Sequence, residues 1–265
     1  METAIKVSNR LTALFQTKSN NLLNIYFTAG YPTLNDTATV LKALEKAGVD
    51  MVEIGMPYSD PVADGPVIQQ SSLDAINAGM TIKLLLQQLK DIRKEVTIPI
   101  LVMGYFNTVL QYGVEKFIQE IHAIGIDGVI LPDLPLDEYT EHYQSLFESN
   151  HISNISLITP NTADDRLHHI DSISQGFVYM VSTNSTTGND AKQTSDSHDV
   201  YFNRIKNMNL KSPRLIGFNI KDNKTFSDAC KYANGAIIGS AFVRMLAESK
   251  NLEPDIIRFV KEIKN

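Results

Sequence analysis

Two acids, Glu53 and Asp64, sit in settings that call for a chemical explanation. Glu53 interrupts the apolar run Met51-Val52-Glu53-Ile54, where an ionised side chain is costly unless it has partners or a shifted pKa. Asp64 follows in a segment stiffened by Pro57, Pro61 and Pro66, which can hold a carboxylate in a fixed place. Two separate carboxylates of this kind suit proton transfer to and from a small substrate. Structural readings compete at each position: an ion pair with a distant Arg or Lys for Glu53, and turn formation for the loop aspartates, most of all Asp60.

Other chemistries find less support. The acids have no histidine at metal-ligand spacing, so no metal is expected. His168 and His169 are adjacent, point in different directions and read as surface. His122, His142, His151 and His198 lack a triad-like context, and no G-x-S-x-G is present. Neither a G-x-G-x-x-G after the first apolar run nor a P-loop occurs.

The elements that must carry these acids are short runs rich in β-branched residues: Leu22 to Thr28, Asp50 to Met56, Ile98 to Gly104, Gly128 to Pro132, Ile152 to Thr159, Phe177 to Ser182, Arg214 to Asn219 and Gly235 to Gly239. Runs without alternation suit strands of a parallel sheet buried on both faces. Helical periodicity falls between them, at Thr37 to Lys46, Thr81 to Lys94, Val114 to Ala123, Asp137 to Ser149 and Ser240 to Ile263. Eight alternations without a linker or composition break predict one domain over 1–265, a closed (β/α)₈ TIM barrel preceded by an amphipathic helix from about Ala4 to Phe15. An open doubly wound sheet uses the same alternation and is the alternative. In a barrel, chemistry gathers at the C-terminal ends of the strands. Long connections there, Pro57 to Gly79 and Thr183 to His198, read as lid loops. Gly239 and Ser240 after the last strand have the types that bind a phosphate through backbone N–H groups, or equally a tight turn and a helix cap.

Composition narrows the function classes. Of the 265 residues 43% are hydrophobic and 20% charged, enough apolar material for a substantial core. Net charge is −6 with no basic cluster, which argues against nucleic-acid binding. Cys230 is the only cysteine, no signal-like segment opens the chain, and no apolar run approaches the roughly 20 residues of a membrane span, so a cytoplasmic protein is expected.

The stretch Val52 to Gln69, above all Glu53-Ile-Gly-Met-Pro57-Tyr-Ser-Asp60-Pro-Val-Ala-Asp64-Gly-Pro66, closely resembles the signature of tryptophan synthase α chains. Similarity extends to Phe27-Thr-Ala-Gly-Tyr-Pro32, Tyr105-Phe-Asn107, Leu131-Pro-Asp133-Leu-Pro135, Thr159-Pro160, Thr187-Gly188 and Gly239-Ser240. The resemblance implies retro-aldol cleavage of indole-3-glycerol phosphate to indole and glyceraldehyde 3-phosphate, with no cofactor on this chain. It implies that Glu53 is the general acid–base, that Asp64 stabilises positive charge on the indole nitrogen, and that Tyr179 orients Glu53. Gly188, Phe218, Asn219, Gly239 and Ser240 match phosphate-binding positions. A pyridoxal-phosphate β chain is the implied partner, in an α2β2 assembly that contacts the second and sixth loops and the Asp133 region.

Two places depart from the family pattern. The sixth connection, Thr183 to Gly188, lacks an early glycine and basic residue, and Gly217-Phe-Asn219-Ile-Lys221 lacks a second glycine followed by serine. Three alternatives follow: an indole-glycerol-phosphate synthase, disfavoured because no lysine lies in the proposed strands; a phosphoribosyl isomerase; and a barrel that chiefly binds and activates a β chain.

Overall fold

A computed structural model describes residues 7–62, 64–181, 194–217 and 219–265, without the side chains of residues 194–198. Nine strands are present among the described residues: β1 (Leu22–Thr28), β2 (Met51–Gly55), β3 (Ile100–Met103), β4 (Gly128–Ile130), β5 (Ser153–Asn154), β6 (Leu157–Ile158), β7 (Val178–Val181), β8 (Arg214–Gly217) and β9 (Gly235–Ile238). Every pairing is parallel, in the order β5-β4-β3-β2-β1-β9-β8-β7-β6.

The two ends of that order belong to one stretch of chain. Ile155 donates its N–H to Val129 O next to β4 (3.0 Å), and Ser156 O accepts from Tyr179 N–H on β7 (3.0 Å). The sheet therefore closes on itself at two consecutive residues, and the expected fifth strand, Ile152 to Thr159, is two short pieces.

Burial on both faces explains the unbroken apolar runs, and the two-residue side-chain period sorts them. Leu23, Ile25, Phe27, Val52, Ile54, Ile100 and Val102 face outward and pack with residues of the surrounding helices. Their neighbours Leu22, Tyr26, Met51, Leu101, Ile130, Tyr179, Leu215 and Ile237 fill the barrel. The helix Thr37–Ala47 shows the outer layer's logic: Val40, Leu41 and Leu44 are buried, and Gly48 ends the helix at φ 83°, in the left-handed region.

The extra N-terminal helix begins at Arg10 and runs to Thr17, later than expected, because Asn9 caps it: its side chain accepts from Thr12 N–H while the Thr12 hydroxyl accepts from Asn9 N–H. Leu11 is fully buried with Leu22, Met51 and Phe177, so this helix stoppers the N-terminal end of the barrel. Arg10 (3.3 Å) and Arg93 (2.5 Å) converge on the buried Asp127 carboxylate, and Asn9 Nδ2 donates to Asp127 O (2.7 Å), which rivets the stopper to β4.

Three expectations need correction. The connection Pro57 to Gly79 is not loop throughout: Pro66–Asn77 is a helix with proline in its first turn, where the missing N–H costs nothing. Ser240 to Ile263 is two helices, Ser240–Glu248 and Leu252–Lys264. The sixth connection ends in the helix Thr194–Asn207, and residues 182–193 lie outside the described residues. Among the described residues no helix is long and apolar enough to cross a membrane.

Candidate active site

Glu53 lies on the inward parity of β2, paired in register with Tyr26 on β1 and Leu101 on β3. Its exposure is 0%. Asn24 Nδ2 donates to Glu53 Oε1 at 2.5 Å, and Oε2 is buried with no partner. Among the described residues no Lys or Arg pairs with Glu53, so the ion-pair reading does not hold. Burial pushes its pKa up to about 8, against the smaller opposing pull of the Asn24 hydrogen bond.

Asp64 is held over the barrel mouth by its own loop. Its N–H donates to Pro61 O (3.0 Å), and Gln69 Nε2 from the following helix donates to Asp64 O (2.9 Å). The Tyr105 hydroxyl makes a long hydrogen bond to Oδ2 (3.4 Å). Burial raises the Asp64 pKa to about 6, with the Tyr105 bond opposing. Asp60, by contrast, is exposed and accepts from the Ser59 hydroxyl (2.5 Å), as the turn reading predicts.

Between the loop and the strand ends lies a largely apolar pocket lined by Tyr26, Met56, Tyr58, Met103, Tyr105 and Leu157, with Asp64 at its edge. It encloses about 500 Å³ counting its open mouth. Tyr58 and Tyr105 flank each other with ring centroids 4.8 Å apart. Glu53 lies one inward-facing layer below this lining, since the register sets Met103 beside Gly55. Tyr179 is also inside the barrel, on β7, where burial first and then the charges of Glu53 and Asp64 raise its phenol pKa. The hydrogen bond that holds Glu53 comes from Asn24 rather than Tyr179.

The residues expected to bind a phosphate emerge on the same rim. Asn219 follows β8 with φ 60° and is exposed. Asparagine is among the few non-glycine residues that tolerate that region, so the backbone shape survives without glycine. Gly239 precedes the helix Ser240–Glu248, whose first N–H groups are available to an anion. Gly188 and Phe218 lie outside the described residues. In the sheet order, β1 alone separates β2, which carries Glu53, from β9, which ends before Gly239, so these two strands stand roughly 10 Å apart, two strand spacings.

Sequence reasoning passed over Asn24 and Tyr26. Their signal was parity: Asn24, Tyr26 and Thr28 alternate along β1, and the register sets Tyr26 beside Glu53.

Comparison with known proteins follows this geometry. Residues 12–264 match the family described as Tryptophan synthase alpha chain. The chain is 52% identical over 259 residues to the tryptophan synthase alpha chain of Flavobacterium psychrophilum, covering 96% of this chain and 99% of that one. It belongs to the tryptophan synthase alpha chain family. The structure of tryptophan synthase subunit alpha from Legionella pneumophila superposes with a TM-score of 0.86 at 28% identity, covering 97% of each chain. A chain of tryptophan synthase from M. tuberculosis in an aminoacrylate-bound form gives 0.83 at 28% identity, covering 97% of this chain and 98% of that one. As a tryptophan synthase alpha family member the chain is a lyase of tryptophan biosynthesis with the TIM-barrel fold of its structural neighbours.

Proposed function

We propose that this chain, acting as one barrel domain over 1–265, cleaves indole-3-glycerol phosphate to indole and glyceraldehyde 3-phosphate by a retro-aldol reaction at Glu53 and Asp64. The observation that carries the reading is a pair of carboxyls, Glu53 buried inside the barrel and Asp64 over its mouth, whose surroundings push their pKa values apart, to about 8 and about 6. At neutral pH Glu53 holds its proton and Asp64 is ionised.

Glu53 then donates its proton to indole C3, giving an indolenine cation. The glutamate so formed takes the proton of the hydroxyl on the adjoining glycerol carbon. As that carbon becomes the aldehyde, its bond to C3 breaks, and the electron pair returns to the ring to restore indole. Glu53 ends protonated, as it began. Asp64 lowers the barrier by facing the positive charge that spreads to the indole nitrogen.

The apolar pocket suits the indole, and the span across β1 suits a three-carbon phosphate tail reaching Asn219, Gly239 and Ser240, with Gly188 and Phe218 completing the grip. Tyr179 borders the acid–base group. No step requires a cofactor or metal on this chain. The family's alpha designation supports association with a β chain, here in an α2β2 assembly in the cytoplasm, with the mouth of the barrel toward the partner.

Indole release from indole-3-glycerol phosphate, measured for the chain alone and with a β chain, tests the reading. Glu53→Gln and Asp64→Asn should each lower kcat by about 10²-fold or more, the usual worth of positioned acid–base and charge-stabilising groups. Undiminished turnover in both variants would overturn it.

A further inference from the structure

Among the described residues Asn24 is the one fully buried asparagine, and its amide is spent on a single contact, the 2.5 Å bond from Nδ2 to Glu53 Oε1. Two buried oxygens around that contact, Asn24 Oδ1 and Glu53 Oε2, have no partner. Unpartnered buried oxygens are costly, so a structural role alone would favour an apolar residue here, as at the flanking positions Leu22, Leu23 and Ile25.

We propose that Asn24 is a positioning residue for the acid–base carboxyl, fixing one oxygen of Glu53 and leaving Oε2 to meet the substrate. This rests on the reading of Glu53 as the acid–base group. An amide suits the task because its two ends differ: the N–H₂ donates to an ionised carboxylate, and after a half-turn the carbonyl accepts from a protonated one. Asn24 thus keeps a hydrogen bond to Glu53 in both protonation states, through which the carboxyl passes twice per turnover. The other groups near Glu53 do not supply this: Tyr26 from β1 and Tyr179 from β7 bring phenols, on which Asp64 also acts, and among the described residues no cation pairs with Glu53.

The test is the pH dependence of kcat and KM for indole release in Asn24→Leu, which keeps the shape without hydrogen bonding, and Asn24→Asp, which keeps the shape and loses the donor when ionised. With the donor gone, the alkaline limb should move up by about one pH unit in both variants. Because the carboxyl is also less well placed, kcat should fall about tenfold while KM stays within about twofold. The ¹³C carboxyl signal of labelled Glu53 should titrate upward in parallel. A limb and a signal left where the unmodified chain has them would overturn the proposal. Glu53→Gln separates the two readings: if it abolishes turnover while the Asn24 variants behave like wild type, only the role of Asn24 fails.

Discussion

On the proposed mechanism, the proton inventory at the two carboxyls decides when this site can work. The productive state needs Asp64 without its proton and Glu53 with one, which holds above about 6 and below about 8. The rate of indole formation should therefore trace a bell, its acid limb set by Asp64 and its alkaline limb by Glu53. Asp64→Asn removes the acid limb and leaves the alkaline one; a pH–rate profile of that variant with both limbs in place would assign them elsewhere. The acids themselves were legible in the sequence, because a glutamate in an apolar strand and an aspartate among prolines both break local rules. Asn24 was not, because an asparagine inside a mainly apolar run of seven reads as noise until the inward parity and the neighbouring strand are known. The Asn219 departure also changes meaning: with φ at 60° this asparagine sits in the left-handed region that glycine adopts without strain.

At the scale of elements, glycines on two strands make room for tyrosines on their neighbours. A Cβ at Gly55 would meet the Tyr26 hydroxyl, and one at Gly217 would meet the Tyr179 hydroxyl, so each ring lies across the adjacent strand. Gly217→Ala should push Tyr179 from its place and destabilise the fold by about 1–3 kcal/mol, as overpacking does; urea unfolding of the variant against wild type measures this. The strands were readable because burial on both faces leaves a long apolar run, and their registers follow from closure. The helix Pro66–Asn77 was not. Its opening Pro66 suits both a stiff loop and a first helical turn, and three of its four buried positions, Ser71, Ser72 and Ala75, are small or polar rather than a strong apolar stripe. The break between Ser240–Glu248 and Leu252–Lys264 had a signal in Asn251 and Pro254, a capping type followed by a proline suited to a helix's first turn.

For the molecule as a whole, the site is a standing cost to stability. Both carboxyls have folded pKa values above their ordinary ones, so the folded state binds protons more tightly than the unfolded chain. Their favourable contribution is complete below about pH 4 and is lost as pH rises, through about 6 for Asp64 and about 8 for Glu53. Glu53→Gln, which cannot ionise, should gain on wild type by about a few kcal/mol between pH 5 and pH 9. Urea unfolding at the two pH values reads the difference; equal pH dependence in both proteins would contradict the burial-driven shift. The Arg93–Asp127 bridge at the opposite end resists such drift, because an arginine keeps its charge throughout.

The junction at Ile155 and Ser156 gives the ring an asymmetry. Ile155 donates toward β4 and the next residue, Ser156, accepts from β7, with the short ladders β5–β4 and β6–β7 on either side, so the chain changes neighbour within one peptide unit. Leu157, which follows the junction directly, lines the apolar pocket. The place where the ring closes is thus also part of the pocket's wall, on the side of the barrel away from Asn24 and Glu53 on β1 and β2.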